Sequence, residues 1–198
     1  MLLPDPLFIA LAGTAIASPG PGVVLTLSNA LRHGFWPALG GILGLTCASV
    51  VLAALSATGL GLLLAASPTA FTLIKYLGAA YLVYLARRLW QAPPLAPCAA
   101  GDAGFGHRFR EALLMQFGNP QALLFCIALF PRFMEGAQAP LARFAVLVAS
   151  YGLLIVLIHS GYAFAARSAQ HHLEGERARL VNHVAAVALV GFALATLR

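Results

Sequence analysis

A chain of 198 residues that is 61% hydrophobic and 9% charged, with a mean hydropathy of +0.87, falls outside the soluble globular class. Soluble domains carry charge on roughly 25% of their residues. A net charge of +6 would point to nucleic acid in a soluble protein, but here the charges rule off membrane spans and no nucleic-acid partner is expected. Three cysteines, Cys47, Cys98 and Cys126, make no disulfide framework.

The elements follow in chain order. Met1–Asp5 lacks a basic stretch, so the first apolar span, 6–31, is expected to stay as a helix and not to be a removable signal. It is interrupted by Ser18-Pro19-Gly20-Pro21-Gly22. The second span, 37–66, carries Gly40, Gly41 and Gly44 as a small-residue face that admits another backbone. Ser67-Pro68 divides it from the third, 69–90, which contains Lys75 and the small run Gly78-Ala79-Ala80. Residues 91–108, with Pro93, Pro94 and Pro97, form a linker whose flexible part runs from Gln91 to Gly106. The fourth span, 109–132, is interrupted by Gly118-Asn119-Pro120; the fifth, 140–166, contains His159; the sixth is 179–197. The charge-free gaps between Asp5 and Arg32, Glu111 and Arg132, Arg143 and Arg167, and Arg179 and Arg198 each hold about 18 to 26 residues, close to the ~20 that cross hydrocarbon.

The linker separates two groups of three spans, and three is odd, so the second group enters the membrane from the opposite side. The expected fold is an all-α integral membrane protein, one transporter domain over 1–198. Its six transmembrane helices form two inverted three-helix repeats, 1–90 and 109–198, with the first and fourth helices broken. Pro21 and Pro120 lie 99 positions apart (120 − 21), half the chain. Eight of the twelve basic residues fall inside when both termini are outside, which sets the orientation; Trp36 and Trp90 then lie at the inner interface.

Chemistry concentrates at the breaks. Ser18 before Pro19 and Asn119 before Pro120 pair an N-capping residue with a helix-starting proline, so each break reads as a half-helix beginning in mid-membrane. Such an end carries roughly half a positive charge and free N–H groups, suited to a carboxylate. The candidate substrate-binding residues are Ser18, Gly20, Pro21, Gly22, Asn119, Pro120 and Gln121. Gln116, Lys75 and His159 are candidates for further substrate contact or coupling; a histidine can carry a proton. No Asp or Glu is placed deep in any span, which disfavours a cationic substrate and favours a neutral zwitterion. Metal clusters, cofactor motifs and a nucleophile–base pair are absent from the sequence, so no enzyme is expected. A membrane thiol–disulfide carrier of the cytochrome-biogenesis type is the alternative. It needs two cysteines brought together from the two halves, but Leu27 stands where Cys126 would have its match (126 − 99) and Cys47 has none.

At these residues the chain resembles the lysine exporter / homoserine–threonine resistance (LysE/RhtB) family over nearly its whole length. The resemblance rests on Pro19-Gly20-Pro21, the glycines 40, 41 and 44, Lys75-Tyr76-Leu77-Gly78-Ala79-Ala80-Tyr81-Leu82, Asn119-Pro120-Gln121-Ala122 and Phe130-Pro131-Arg132-Phe133. It implies a six-helix secondary exporter in the cytoplasmic (inner) membrane of a bacterium. The cargo would be amino acids such as homoserine, threonine or leucine, or related small metabolites, driven by an ion gradient, with the proton as expected coupling ion. The family pattern has Lys after Asn-Pro, where this chain has Gln121.

Overall fold

The computed structural model describes residues 5–57, 67–91, 104–134, 138–170 and 176–197; among them are eight α-helices and no strand. Helix α1 (Pro6–Ala17) starts on Asp5, whose Oδ1 accepts the Leu7 N–H at 2.8 Å, with Pro6 where a missing donor costs nothing. It stops at Ser18, because Pro19 bars its predecessor from helical backbone; Ser18 sits at φ −64°, ψ 138°. Helix α2 (Pro21–His33) ends on Gly34, whose φ of +80° makes the turn into α3 (Phe35–Ala57) and suits glycine. Then come α4 (Pro68–Gln91), α5 (Phe105–Phe117), α6 (Pro120–Met134), α7 (Pro140–Gln170) and α8 (Glu176–Leu197).

Both expected breaks are present. The pair α1/α2 bends by 60° and the pair α5/α6 by 68°, and each pair taken as one span is apolar enough to cross a membrane. Helices α3 and α7 meet that test singly, and α8 holds a shorter apolar stretch, Arg179–Ala195. Boundaries move in three places. The second span starts at Phe35 and its helix is described to Ala57, residues 58–66 lying outside the described residues. Helix α7 runs on to Gln170. The linker is shorter than 91–108, because residues 105–108 already form the first turn of α5; residues 92–103, Cys98 among them, lie outside the described residues.

That first turn is helical because α3 accepts it. Gly40 and Gly44 press on the backbone carbonyls of Phe105 and Phe109, so closely that a Cβ on either glycine would collide. Gly78 of α4 abuts the Gly118 carbonyl in the same way, inside the second break. Small residues are doing here what apolar side chains do in a water-soluble core: with lipid outside, close backbone packing is what holds helices together.

The helices pair across the two halves. Helices α5 and α6 pack on α3, α1 and α2 pack on α7, and α4 pairs with α8. Starts match as well: Pro6 and Phe105 open α1 and α5, and Pro21 and Pro120 open α2 and α6, each pair 99 positions apart. The core gathers around Phe8, Met115, Phe130, Leu147 and Leu189, with Phe8 edge-on to Phe130 and Phe133 at 5.6 and 5.3 Å. The outer face is apolar too, as along α7, where Leu153, Leu157 and Phe164 are all exposed. A soluble protein would rarely leave such a stripe uncovered; a bilayer covers it.

Candidate functional site

Each break begins as an accounting problem in the backbone. Ala17 O would accept from residue 21 and Ala15 O from residue 19, but both are prolines without an N–H. The Tyr162 hydroxyl of α7 donates to Ala17 O at 2.8 Å, and the Ser18 N–H turns back to Thr14 O and Ala15 O at 3.0 and 3.3 Å. In the second break the bereft carbonyl is Gln116 O, deprived by Pro120; the Asn119 N–H donates to it at 3.2 Å.

The N-terminal ends differ in their caps. Asn119 Oδ1 accepts the Gln121 N–H at 3.1 Å, the expected capping role. Ser18 does not cap α2. It is the C-cap of α1, and Gly20 (φ −153°, ψ 177°) stands at the N-cap of α2 with no side-chain oxygen to offer. Two prolines, at 19 and 21, push the N-cap two residues beyond Ser18, to Gly20. Gly22 and Val23 therefore open α2 without an intrahelical acceptor for their N–H groups.

Between the breaks lies a cavity of about 290 Å³. Ser18, Gly20, Pro21, Gly22, Gln116, Asn119, Gln121 and His159 all line it, so eight of the ten candidate residues meet in one place. Pro120 does not line it; it is buried as the first residue of α6. The side chain of Lys75 lies outside the described residues.

Helix α3 and helix α7 complete the walls. Gln116 Nε2 donates to Ser49 Oγ at 2.8 Å, joining α5 to α3. His159 Nδ1 lies 2.8 Å from Thr26 Oγ1, which fixes the ring of α7 against α2, and Gly22 leaves room for that ring, with a Cβ there 3.5 Å from its Cε1. Phe125 and Tyr151 stack at 6.1 Å, and Leu45 and Ile155 add apolar surface. The lining holds no acidic side chain, and no His/Cys/Asp/Glu group among the described residues could hold a metal.

Ser49, Tyr151 and Phe125 escaped the sequence reading. Ser49 follows Gly41 and Leu45 at intervals of four, so the glycine face of α3 was the signal that could have found it. Thr14 shows the ordinary fate of such hydroxyls, bonding back to Ala10 O at 2.8 Å. One acid is buried, though not deep in a span: Glu111, at the head of the fourth span, is buried in α5 and ion-paired to Arg88 and Arg108 at 2.8 and 2.7 Å. Two guanidiniums make its burial tolerable. Cys126 is buried and Cys47 exposed, and neither lines the cavity, which leaves the thiol-carrier reading without support.

Residues 14–198 match the family model described as LysE type translocator. The chain is 35% identical over 147 residues to an uncharacterized membrane protein of Vibrio cholerae, covering 73% of this chain and 72% of that one. It is 30% identical over 162 residues to a homoserine/homoserine lactone efflux protein of Salmonella typhimurium (81% and 79%). To a leucine efflux protein of Salmonella choleraesuis it is 28% identical over 193 residues (91% and 89%). No solved structure matches it.

Proposed function

The chain belongs to the LysE family of membrane translocators, proteins that transport and are not enzymes, and from that premise we propose that it exports a neutral amino acid held as a zwitterion between its two helix breaks. The observation that carries the reading is the cavity itself, which gathers both breaks and contains no carboxylate. At each break a helix C-terminus adjoins the next helix N-terminus, so poles of about half a negative and half a positive charge lie side by side. A zwitterion presents the same two signs at a similar separation. The carboxylate sits at the open N-terminus of α2, on the N–H groups of Gly22 and Val23. The ammonium faces the carbonyl end of a preceding half-helix.

The apolar wall of Leu45, Phe125 and Ile155 suits an aliphatic side chain, and the Ser49–Gln116 pair a short polar one. Those two demands agree with relatives named for leucine and for homoserine. The volume, about 290 Å³, lies at the low end of ligand pockets, as a single amino acid requires.

The architecture that goes with this reading is six crossings in two inverted repeats. The matched helix starts and the packing of each bent pair on the other half's long helix support it. Both termini lie outside the bacterial inner membrane, so the arginine-rich ends of α2, α4 and α5 face the cytoplasm. A proton is the coupling ion and His159 the group that takes it, since it is the one imidazole in the lining and no carboxylate stands there.

Efflux from cells preloaded with labelled leucine, homoserine, threonine, lysine and glutamate, with and without a protonophore, tests the reading. Export of a neutral amino acid that the protonophore stops is the expected result. Export of lysine or glutamate alone overturns it.

A further inference from the structure

One face of α2 is polar along its length. Gly22, Thr26, Asn29 and His33 follow at spacings of four, three and four, which stacks them on one side of the helix. Gly22 is in the cavity, and His33 is about 16 Å further along the axis at 1.5 Å per residue. Thr26 and Asn29 are each only 3% exposed. A buried polar stripe along a helix that could have been apolar calls for a reason.

The far end of the stripe is cationic. Arg32, Arg88, Arg108 and His107 all act electrostatically on His33, and Glu111 is the acidic partner shared by Arg88 and Arg108. Arg108 is 5% exposed and its Nε has no partner among the described residues, and neither has Nδ2 of the buried Asn29. Gly41 of α3 opens the space beside the Asn29 amide, where a Cβ would come within 3.3 Å of Nδ2. Orphaned buried N–H groups are rare in native proteins. Here donors outnumber acceptors around a single carboxylate, and that imbalance asks for an anion.

We propose that this cluster, where α2 and α4 end and α5 begins, is a second binding site for a free small carboxylate, which takes the place of the Glu111 carboxylate on Arg88 and Arg108. Guanidinium groups bind carboxylates through paired N–H donors, so Glu111 is a built-in stand-in for the ligand. Resting on the export reading, the ligand is the exported amino acid's carboxylate, held at the entrance before it passes along the α2 stripe to the cavity. The Glu111 bridges then act as the latch that closes the entrance when it is empty.

The test uses the purified full chain in phosphatidylcholine nanodiscs, with sodium acetate as probe and thermal unfolding as readout. Glu111→Gln should unfold at lower temperature than the native chain without acetate and recover with it. Half-recovery should come at an acetate concentration at least about tenfold below that needed to shift the native chain. Sodium chloride at equal ionic strength should not substitute, and Glu111→Gln with Arg108→Gln should lose the response. If Glu111→Gln does not fold, Glu111→Asp decides, with a shorter carboxylate that acetate should displace more readily than Glu111. Three results overturn the proposal: no acetate response in either variant, an equal response to chloride, or recovery only when phosphatidylglycerol replaces phosphatidylcholine. The last would make a lipid headgroup the ligand. No transport is needed for this readout, so an acetate response beside a failed efflux panel would sustain the site and sink the export reading alone.

Discussion

The two breaks bend by similar angles, 60° and 68°, around a proline that starts the second half-helix, yet they are finished in opposite ways. The α5/α6 break closes on itself: Asn119 caps α6 with its side chain, and its own N–H takes the carbonyl that Pro120 abandons. The α1/α2 break is left open. Its N-cap is a glycine, and its abandoned Ala17 carbonyl is served by Tyr162 from the other half of the chain. The capped end has spent the Gln121 N–H on its own side chain, whereas the end without a cap keeps both the Gly22 and the Val23 N–H for a ligand. Two halves that share a repeat can therefore divide the labour, one break as scaffold and the other as binding end.

The comparison breaks most completely if the scaffold is displaced. Gly78→Ala drives a methyl into the Gly118 carbonyl, and backbone cannot swing aside as a side chain would. Overpacking of this kind costs roughly 1–3 kcal/mol or more, so folded protein and export should both collapse. Gly13→Ala is the control, because a Cβ there meets nothing within 4 Å. Membrane accumulation and thermal unfolding of the two variants give the answer. Equal behaviour would mean that the second break is not held by this contact.

A smaller effect separates the caps. Asn119→Ala should cost about 0.5–2 kcal/mol in stability, and the surviving folded molecules should export at a near-native rate, because the lost cap belongs to the scaffold. Asn119→Ser, which retains an oxygen for the Gln121 N–H, should lose the least. Transport per folded molecule, measured in vesicles, is the discriminating quantity. A collapse of that rate in Asn119→Ala would place the ligand at the second break instead.

Tyr162→Phe is the smallest in stability, about 0.5–1.5 kcal/mol for one hydrogen bond. Its effect should nevertheless appear in transport, as a raised KM, because the freed Ala17 carbonyl loosens the end of α1 beside the open N-terminus. An unchanged KM would show that the tether to α7 has no part in shaping the site.

The breaks were legible in the sequence because proline and glycine act locally: Pro19, Pro21 and Pro120 stop and start helices whatever surrounds them. The detail around them was less so. Ser18 looked like a cap for α2, but the second proline moved the helix start to residue 21 and left Ser18 as the end of α1. Ser49 could be reached only by extending the glycine face of α3 two turns, and Tyr151 reaches the cavity from a helix whose facing is decided by packing, with nothing nearby to mark it. Glu111 read only as a boundary charge, and its burial was not legible, because one of its partners, Arg88, lies across the linker and brings the charge that permits it. Local backbone chemistry reads from sequence; who meets whom across the halves does not.

Export by Gly20→Asp is the most direct test of where the carboxylate binds. Residue 20 stands at the N-cap of α2 in extended backbone open to any side chain, and a Cβ there meets only the Ser18 carbonyl oxygen at 3.8 Å. An aspartate at this position would cap α2 with its own carboxylate and occupy the N–H groups assigned to the substrate. Gly20→Ala supplies the bulk without the charge. Efflux of the labelled neutral amino acid from cells carrying equal amounts of each variant should be lost in Gly20→Asp and retained in Gly20→Ala. Near-native efflux from Gly20→Asp would contradict binding of the carboxylate at the first break.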